Sequence, residues 1–336
     1  MLQRLLLLPL LVLIFASSAQ AQDPQFSQFY ANKLLLSPAF AGSAGGPRAA
    51  LNYRNQWPRI PGSFVTYAAS YDMPFFFGMN SRDPRHGLGI NVMADQAGAG
   101  VLRKIDANLN YSFLIPLGRQ DEHAIRLGVS GGIQQSSVDF FRLQFPDQFE
   151  DGGFDPVSDE ALEGLNGNRI HEEVGAGILY FNKLFYAGGN VRHITRPEQK
   201  YLQTGTTEDT RLPMHIAAYT GLNIPFNSDR PDGPSISPAF MFRYQNPFTQ
   251  VDVGLYANLD PIVIGTWYRV IDNDAAIFLV GLQQDNFSVG YSYDLTLSDL
   301  QQANTGGAHE VSLVFTFDGP RAKPRKASAK MSCPRF

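Results

Sequence analysis

From residue 48 onward, apolar and small polar residues alternate with a period of two, the pattern of half-exposed strands rather than of helices. In Lys104 to Leu117, the residues Ile105, Ala107, Leu109, Tyr111, Phe113 and Ile115 share one face, and Asp106, Asn108, Asn110 and Ser112 share the other. Phe287, Val289, Tyr291, Tyr293 and Leu295 alternate in the same way with Ser288, Gly290, Ser292 and Asp294. So do Val251, Val253, Leu255, Ala257 and Leu259 with Asp252, Gly254, Tyr256 and Asn258. Breaks at Gly, Asn, Asp and Pro divide the chain into fourteen candidate strands: 48–56, 64–73, 87–96, 101–116, 123–138, 172–182, 185–194, 212–225, 235–245, 249–259, 262–271, 275–284, 286–296 and 308–318.

A soluble sandwich alternates too, so strand length and the polar face decide the class. Many of these strands reach about ten residues, the length a tilted membrane-crossing strand needs, against roughly five or six in soluble sheets. The polar faces are rich in Gly, Ser, Asn and Gln, which suits a wet or plugged lumen. Aromatic residues at strand ends (Tyr111 to Phe113, Tyr180 to Phe181, Phe315 to Phe317) read as interfacial girdles. The predicted fold is therefore all-β: a transmembrane antiparallel β-barrel of about fourteen strands, residues 48–318, with a short pre-barrel segment. An even count returns both barrel ends to one side. The three longest connections, Asp139 to His171, Thr195 to Arg211 and Leu297 to Gly307, all fall on the opposite side. Long loops outside and both termini in the periplasm is the expected arrangement, integral in the outer membrane.

The first residues agree with export. Arg4, the apolar run Leu5 to Phe15 and the small residues of Ala19-Gln20-Ala21 read as a signal peptide over 1–21, with the mature chain starting at Gln22. The run is too short to span a bilayer as a helix, and no later stretch reaches that length. Charged residues make up 17% of the 336 and the net charge is −4, which excludes a disordered chain and bulk-charge binding of nucleic acid. The single cysteine, Cys333, allows no internal disulfide and no cysteine-held metal.

Three segments lie outside the strand pattern. Residues 22–47 carry Phe26, Phe29, Tyr30 and Leu34 at spacings that allow a short amphipathic helix. This segment could plug the lumen, bind a periplasmic partner through Phe26, Phe29 and Tyr30, or cover the periplasmic rim. Asp147 to Glu163 is acidic without a basic residue, and Asp151, Asp155, Asp159 and Glu160 form a candidate calcium loop, although the spacing is not that of an EF-hand. The tail, 319–336, is basic; Arg321, Lys323, Arg325 and Lys326 suit an acidic periplasmic protein or anionic lipid.

Enzyme signals are weak. Gly128-Val129-Ser130-Gly131-Gly132 matches G-x-S-x-G but sits inside a candidate strand with no strand-to-helix turn after it, so it reads as barrel packing. His171-Glu172-Glu173 lacks the second His of a zincin helix, and no phosphate-binding loop occurs. The expectation is no catalytic residue, no metal and no cofactor. A barrel enzyme using Ser130 and a passive channel or hydrophobic-solute transporter are the competing readings.

Seven stretches stand apart from the strand pattern in their detail: DPQFSQFY at Asp23 to Tyr30, SPAFAG at Ser37 to Gly42, Leu51 to Asp72, Phe140 to Gln148 with its FPDQ, Gly290 to Leu300, Gly306 to Phe317, and the ending Cys333 to Phe336. In combination they resemble the PorP/SprF family of type IX secretion system outer-membrane proteins. Lys33 and Ser37 depart from the family's usual Pro and Asn. The resemblance implies a non-enzymatic barrel associated with type IX secretion and gliding. Its implied partners are outer-membrane lipid, a periplasmic component of the secretion machine, and a secreted surface protein as cargo that it helps reach or stay on the cell surface.

Overall fold

The computed structural model describes residues 23–75, 85–98, 101–118, 123–145, 148–149, 158, 167–199, 211–227, 233–271, 274–284, 286–298 and 305–318. Fifteen strands are present: β1 (Arg48–Gln56), β2 (Phe64–Phe75), β3 (His86–Ala97), β4 (Leu102–Leu117), β5 (His123–Val138), β6 (Asn168–Phe181), β7 (Phe185–Arg192), β8 (His215–Leu222), β9 (Ile224–Pro225), β10 (Ser235–Gln245), β11 (Phe248–Asn258), β12 (Ile262–Arg269), β13 (Ala275–Gln283), β14 (Phe287–Thr296) and β15 (Ala308–Thr316). β8 and β9 both pair with β10 and are two pieces of one stave interrupted at Asn223, so the wall has fourteen staves. Every stave pairs antiparallel with its sequence neighbours, β10 pairs with β11, and Arg48 opposite Thr316 joins the first strand to the last. The sheet is a closed barrel, which leaves no unpaired edge.

The expected strands are all present, with shifts of a few residues at their ends. β6 begins earlier than the pattern suggested, at Asn168, because the sixteen-residue β5 offers ladder partners as far as Ser137 opposite Asn168. No helix among the described residues is long and apolar enough to cross a membrane; strands make the wall.

Burial is inverted relative to a water-soluble protein. In β4, Ile105, Leu109 and Tyr111 are exposed, Leu109 by 67%, while Lys104, Asp106, Asn108, Asn110 and Ser112 are buried inside. The same alternation repeats around the ring, with Leu51, Tyr67, Ile90, Val129, Ile178, Val280 and Val311 outside. An apolar exterior around a charged interior suits lipid. Aromatic pairs mark both borders of this band: Phe75, His86 and Phe113 at one, and Tyr53 with Tyr67 and Trp57 with Phe64 at the other. Phe181, expected in a girdle, instead points inward, because it shares a face with Leu179 and pairs beside Tyr186.

The barrel has a near end, where β1 begins and β15 finishes, and a far end. The connections between β5 and β6, β7 and β8, and β14 and β15 are all at the far end. The inner wall is two-sided. On β6 to β13 the large apolar and aromatic side chains gather, Leu179, Tyr186, Tyr219, Met241, Tyr256, Trp267 and Ile277, beside the charges of Glu173, Arg243 and Asp252; on β14 to β5 it is polar, with Asn52, Asn91, Asn110, Gln134, Ser292 and Ser312.

Candidate functional site

Residues 23–46 run through the lumen and fill it, forming an arm that touches strands on every side. Asp23 lies at the far end: its amide donates to Gln245 Oε1 at 3.0 Å, and its carboxylate accepts from Lys104 Nζ at 3.2 Å and from His193 Nε2 at 2.5 Å. The other ring nitrogen of His193 donates to Glu173. Ser27 and Gln28 come next. Glu310 accepts from the Ser27 amide at 2.7 Å and the Gln28 amide at 3.1 Å, and Asp294 accepts from Ser27 Oγ at 2.6 Å. Arg54 donates to Asp294 at 2.8 Å and lies 3.4 Å from Glu310. Gln28 also bonds Ser292 and Ser312. This dipeptide thus ties together β14, β15 and β1, the strands around the seam where the ring closes.

Further along, the arm turns to the apolar side. Phe29 meets Trp267 edge to face at 4.9 Å, Tyr30 bonds the hydroxyl of Tyr186, and Phe40 stacks on Tyr219. At the near end, Arg126 and Ser112 donate to the Ala41 carbonyl, and the Gly42 amide donates to Asp72, which is paired with Arg48 at 2.9 Å. Gly42 has φ +65, a conformation that suits Gly as the chain turns toward β1.

The arm is not the helix that the spacing suggested. Only α1 (Lys33–Leu36) and a 3-10 turn over Pro38–Phe40 are helical, and Ser37 Oγ accepts from the Ala39 amide as that turn's cap. The Ser27 and Gln28 amides are taken by a carboxylate on the wall instead of by carbonyls of the arm. Of the roles left open for Phe26, Phe29 and Tyr30, plugging the lumen fits their position: they are buried inside the barrel at 7%, 6% and 0% exposure and present no surface to a partner. The other expected site residues, Arg321, Lys323, Arg325 and Lys326 of the tail and Asp151, Asp155, Asp159 and Glu160 of the acidic connection, lie outside the described residues. Among the described residues, no group of three His, Cys, Asp or Glu side chains is placed to hold a metal ion.

The arm lies on a bed of glycines. A Cβ on Gly128 would come within 2.3 Å of the Ala39 amide nitrogen, and one on Gly87 within 2.0 Å of the Ala41 carbonyl oxygen. Gly128 opens the G-x-S-x-G string, and Ser130 lies mid-strand opposite Asn110 and Gly175. Gly128→Val is expected to cost about 3 kcal/mol, the upper end of over-packing penalties, because the obstacle is backbone. Gly131→Ala, with nothing within 4 Å of the added carbon, should be neutral. Thermal loss of the folded, unheated gel band measures both.

At the far anchor, burial disfavours the charged form of His193, but Asp23 and Glu173 outweigh it and raise the imidazole to about 9. Burial likewise works against the Asp23 carboxylate, and His193 and Lys104 still hold it well below the usual range. A raised His stabilises fully below its ordinary pKa and loses that contribution as pH rises through about 9; a depressed Asp contributes above its ordinary pKa and loses it only in strong acid. The arm's start should therefore loosen on the alkaline side. The stability lead of the native protein over His193→Gln is expected to be full near about pH 6 and gone by about pH 10, and a lead that persists would contradict the ionic anchor.

Beyond Asp23 the lumen opens into a far-end cavity of about 600 Å³. Asp23, Pro24 and Gln25 line it together with Arg54, Lys104 and Arg243.

A sequence model described as type IX secretion system membrane protein PorP/SprF matches residues 18–315. The chain belongs to the PorP/SprF family. No curated protein matches it. Among solved structures, this PorP/SprF barrel is similar to a Pseudomonas aeruginosa FadL homologue, with 11% identity, a TM-score of 0.40, and 81% of this chain and 90% of that one covered. BamA from Haemophilus ducreyi lacking POTRA domains 1–3 gives 9% identity and 0.38, over 81% and 70% of the two chains. A mutant Rh. blastica porin gives 10% and 0.33, over 81% and 99%. Likeness this weak carries no argument, and the barrel rests on its own strand pairing.

Motif reading missed the inward charges that grip the arm, Arg54, Lys104, His193, Asp294 and Glu310, and Glu173 behind His193. For those on strands the signal was present, as charged residues of both signs on the polar, inward faces.

Proposed function

We propose that this chain is a non-enzymatic outer-membrane anchor of type IX secretion. Its near end faces the periplasm, where Arg321, Lys323, Arg325 and Lys326 engage a component of the secretion machine. Its far-end connections hold a secreted protein during export or at the cell surface. The observation that carries this reading is the lumen occupied by the arm from Phe26 to Gly42, below the far-end cavity, which leaves the two mouths, not a passage, as the working surfaces. The three longest connections gathered at one end support the orientation, since outer-membrane barrels carry short turns on the periplasmic side. Asp151, Asp155, Asp159 and Glu160 fall in the sequence between β5 and β6, and in this reading they serve the cargo side as a calcium site or as a surface for a basic cargo.

Crosslinking mass spectrometry on intact membranes tests this. Periplasmic neighbours should disappear when residues 319–336 are deleted, and surface-protein neighbours should persist. If every periplasmic neighbour survives that deletion, the docking role of the tail is wrong. In planar bilayers the native protein is expected to be silent; a sustained open pore would favour the channel reading.

A further inference from the structure

We propose that the arm threads the membrane wall, so that the start of the mature chain and the C-terminal tail open on opposite faces. An even number of antiparallel strands returns the two ends of the wall to one side, and Arg48 opposite Thr316 shows it here. The expectation of both termini at that side assumed that the pre-barrel segment stays where β1 begins. It does not stay there.

The contacts of the arm descend in order. Asp23 is held by Lys104 near the start of β4, by His193 just past the end of β7, and by Gln245 at the end of β10, all far-end positions. Ser27 and Gln28 bond Asp294 and Glu310, within a few residues of the far ends of β14 and β15. Tyr30 reaches Tyr186, the second residue of β7 from the near end. Gly42 reaches Asp72 and Ala41 reaches Arg126, both near-end positions. The chain thus crosses the whole lumen before it forms its first strand. Buried ion pairs fix the two ends of this path: Asp23 with Lys104 and His193 at one, and Arg48 with Asp72 at the other.

Cleavage after Ala21 would leave a single residue, Gln22, ahead of Asp23. The mature start therefore belongs to the loop-rich mouth. There Asp23, Pro24 and Gln25 form part of the lining of the 600 Å³ cavity, and a partner entering from that side meets the arm itself as well as the loops. The arm and tail give one chain a contact on each face of the membrane. Which face is outside rests on the orientation proposed above; the threading does not.

Two single-thiol proteins test this. One is the native protein, whose sole cysteine, Cys333, reports the tail; the other carries Pro24→Cys with Cys333→Ala and reports the cavity floor, at a residue that is partly exposed. Each is treated with a membrane-impermeant maleimide, on intact cells and after the outer membrane is opened. The expected result is that Pro24→Cys is labelled on intact cells, and Cys333 only after opening. The reverse pattern upholds threading and overturns the proposed orientation. Labelling of both thiols from the same side overturns threading, as does failure of Pro24→Cys to label from either side.

Discussion

Deleting residues 24–41 should turn a silent, heat-resistant barrel into a conducting and heat-labile one. The deletion removes Phe26, Phe29, Tyr30, Leu34, Leu36 and Phe40, all buried against the wall or one another. At about 1.5–3 kcal/mol for each large apolar side chain, the loss is on the order of 10 kcal/mol. It also leaves Trp267, Tyr219 and Tyr186 facing an emptied lumen, and strips Glu310 of the two amides it accepts from. The strand ladders themselves are untouched, so the ring should still form, with its apolar inner side wetted. Unheated gel mobility across temperature and single-protein conductance read the two effects. An arm-less protein as silent and as heat-resistant as the native one would show that the arm neither fills nor stabilises the barrel.

Glu310→Ala is expected to be the most damaging single substitution in the wall. The Glu310 carboxylate is fully buried, accepts from the Ser27 and Gln28 amides, and sits beside the Arg54 guanidinium, itself only 5% exposed. Removing it leaves Asp294 as the carboxylate on Arg54, beside the neutral oxygens of Ser27 and Gln56, and two arm amides without acceptors. Breaking a buried pair by deleting one partner costs about 3–5 kcal/mol, and each orphaned amide adds about 1–3 kcal/mol. Glu310→Gln keeps an acceptor for an amide and should recover part of the loss. The seam residues are involved in both cases, so an increase in protease cuts within 23–46 should accompany the drop in melting temperature. If Glu310→Ala melts like the native protein with an uncut arm, the ionic grip described for Ser27 and Gln28 does not hold the arm in place.

The wall was readable from local pattern because a half-lipid-facing strand repeats every two residues and each turn announces itself with Gly, Asn, Asp or Pro. Leu109, Tyr111 and Val129 could be placed outside, and Asn108 and Ser112 inside, without knowing any partner. The arm obeyed no such local rule. Phe26, Phe29, Tyr30 and Leu34 suit a helix by spacing, but their structure is set by wall residues far along the chain: Phe26 packs with Ala68 and Met93, Phe29 with Trp267 and Tyr30 with Tyr186, and Glu310 stands 283 residues from Ser27. A carboxylate at that distance in sequence captures the amides that a helix would use, and no window along the chain contains both. Parity located the strand ends correctly, but it is silent on which way a segment outside the strands runs. That is why the position of Asp23 at the far end was not foreseen. The reading of Gly128 to Gly132 as packing rested on its place inside an alternating strand and on the missing turn; what Gly128 packs against, the arm backbone at Pro38 and Ala39, appears only with the arm in place.

The central claim, that the chain's own start occupies the lumen of a lipid-facing barrel, is tested most directly by a disulfide between arm and wall. A Cβ on Gly177 would lie 2.2 Å from Ser37 Oγ, tighter than a disulfide needs, but the obstacle is the tip of a rotatable side chain, so once the side chain at 37 turns aside, cysteines at these two positions come within bonding reach. The measurement is the state of the two thiols in Ser37→Cys with Gly177→Cys, in a Cys333→Ala background, after mild oxidation of intact membranes. The account predicts an intramolecular disulfide that blocks maleimide until reduced. Two thiols that stay free and react readily with maleimide would contradict it.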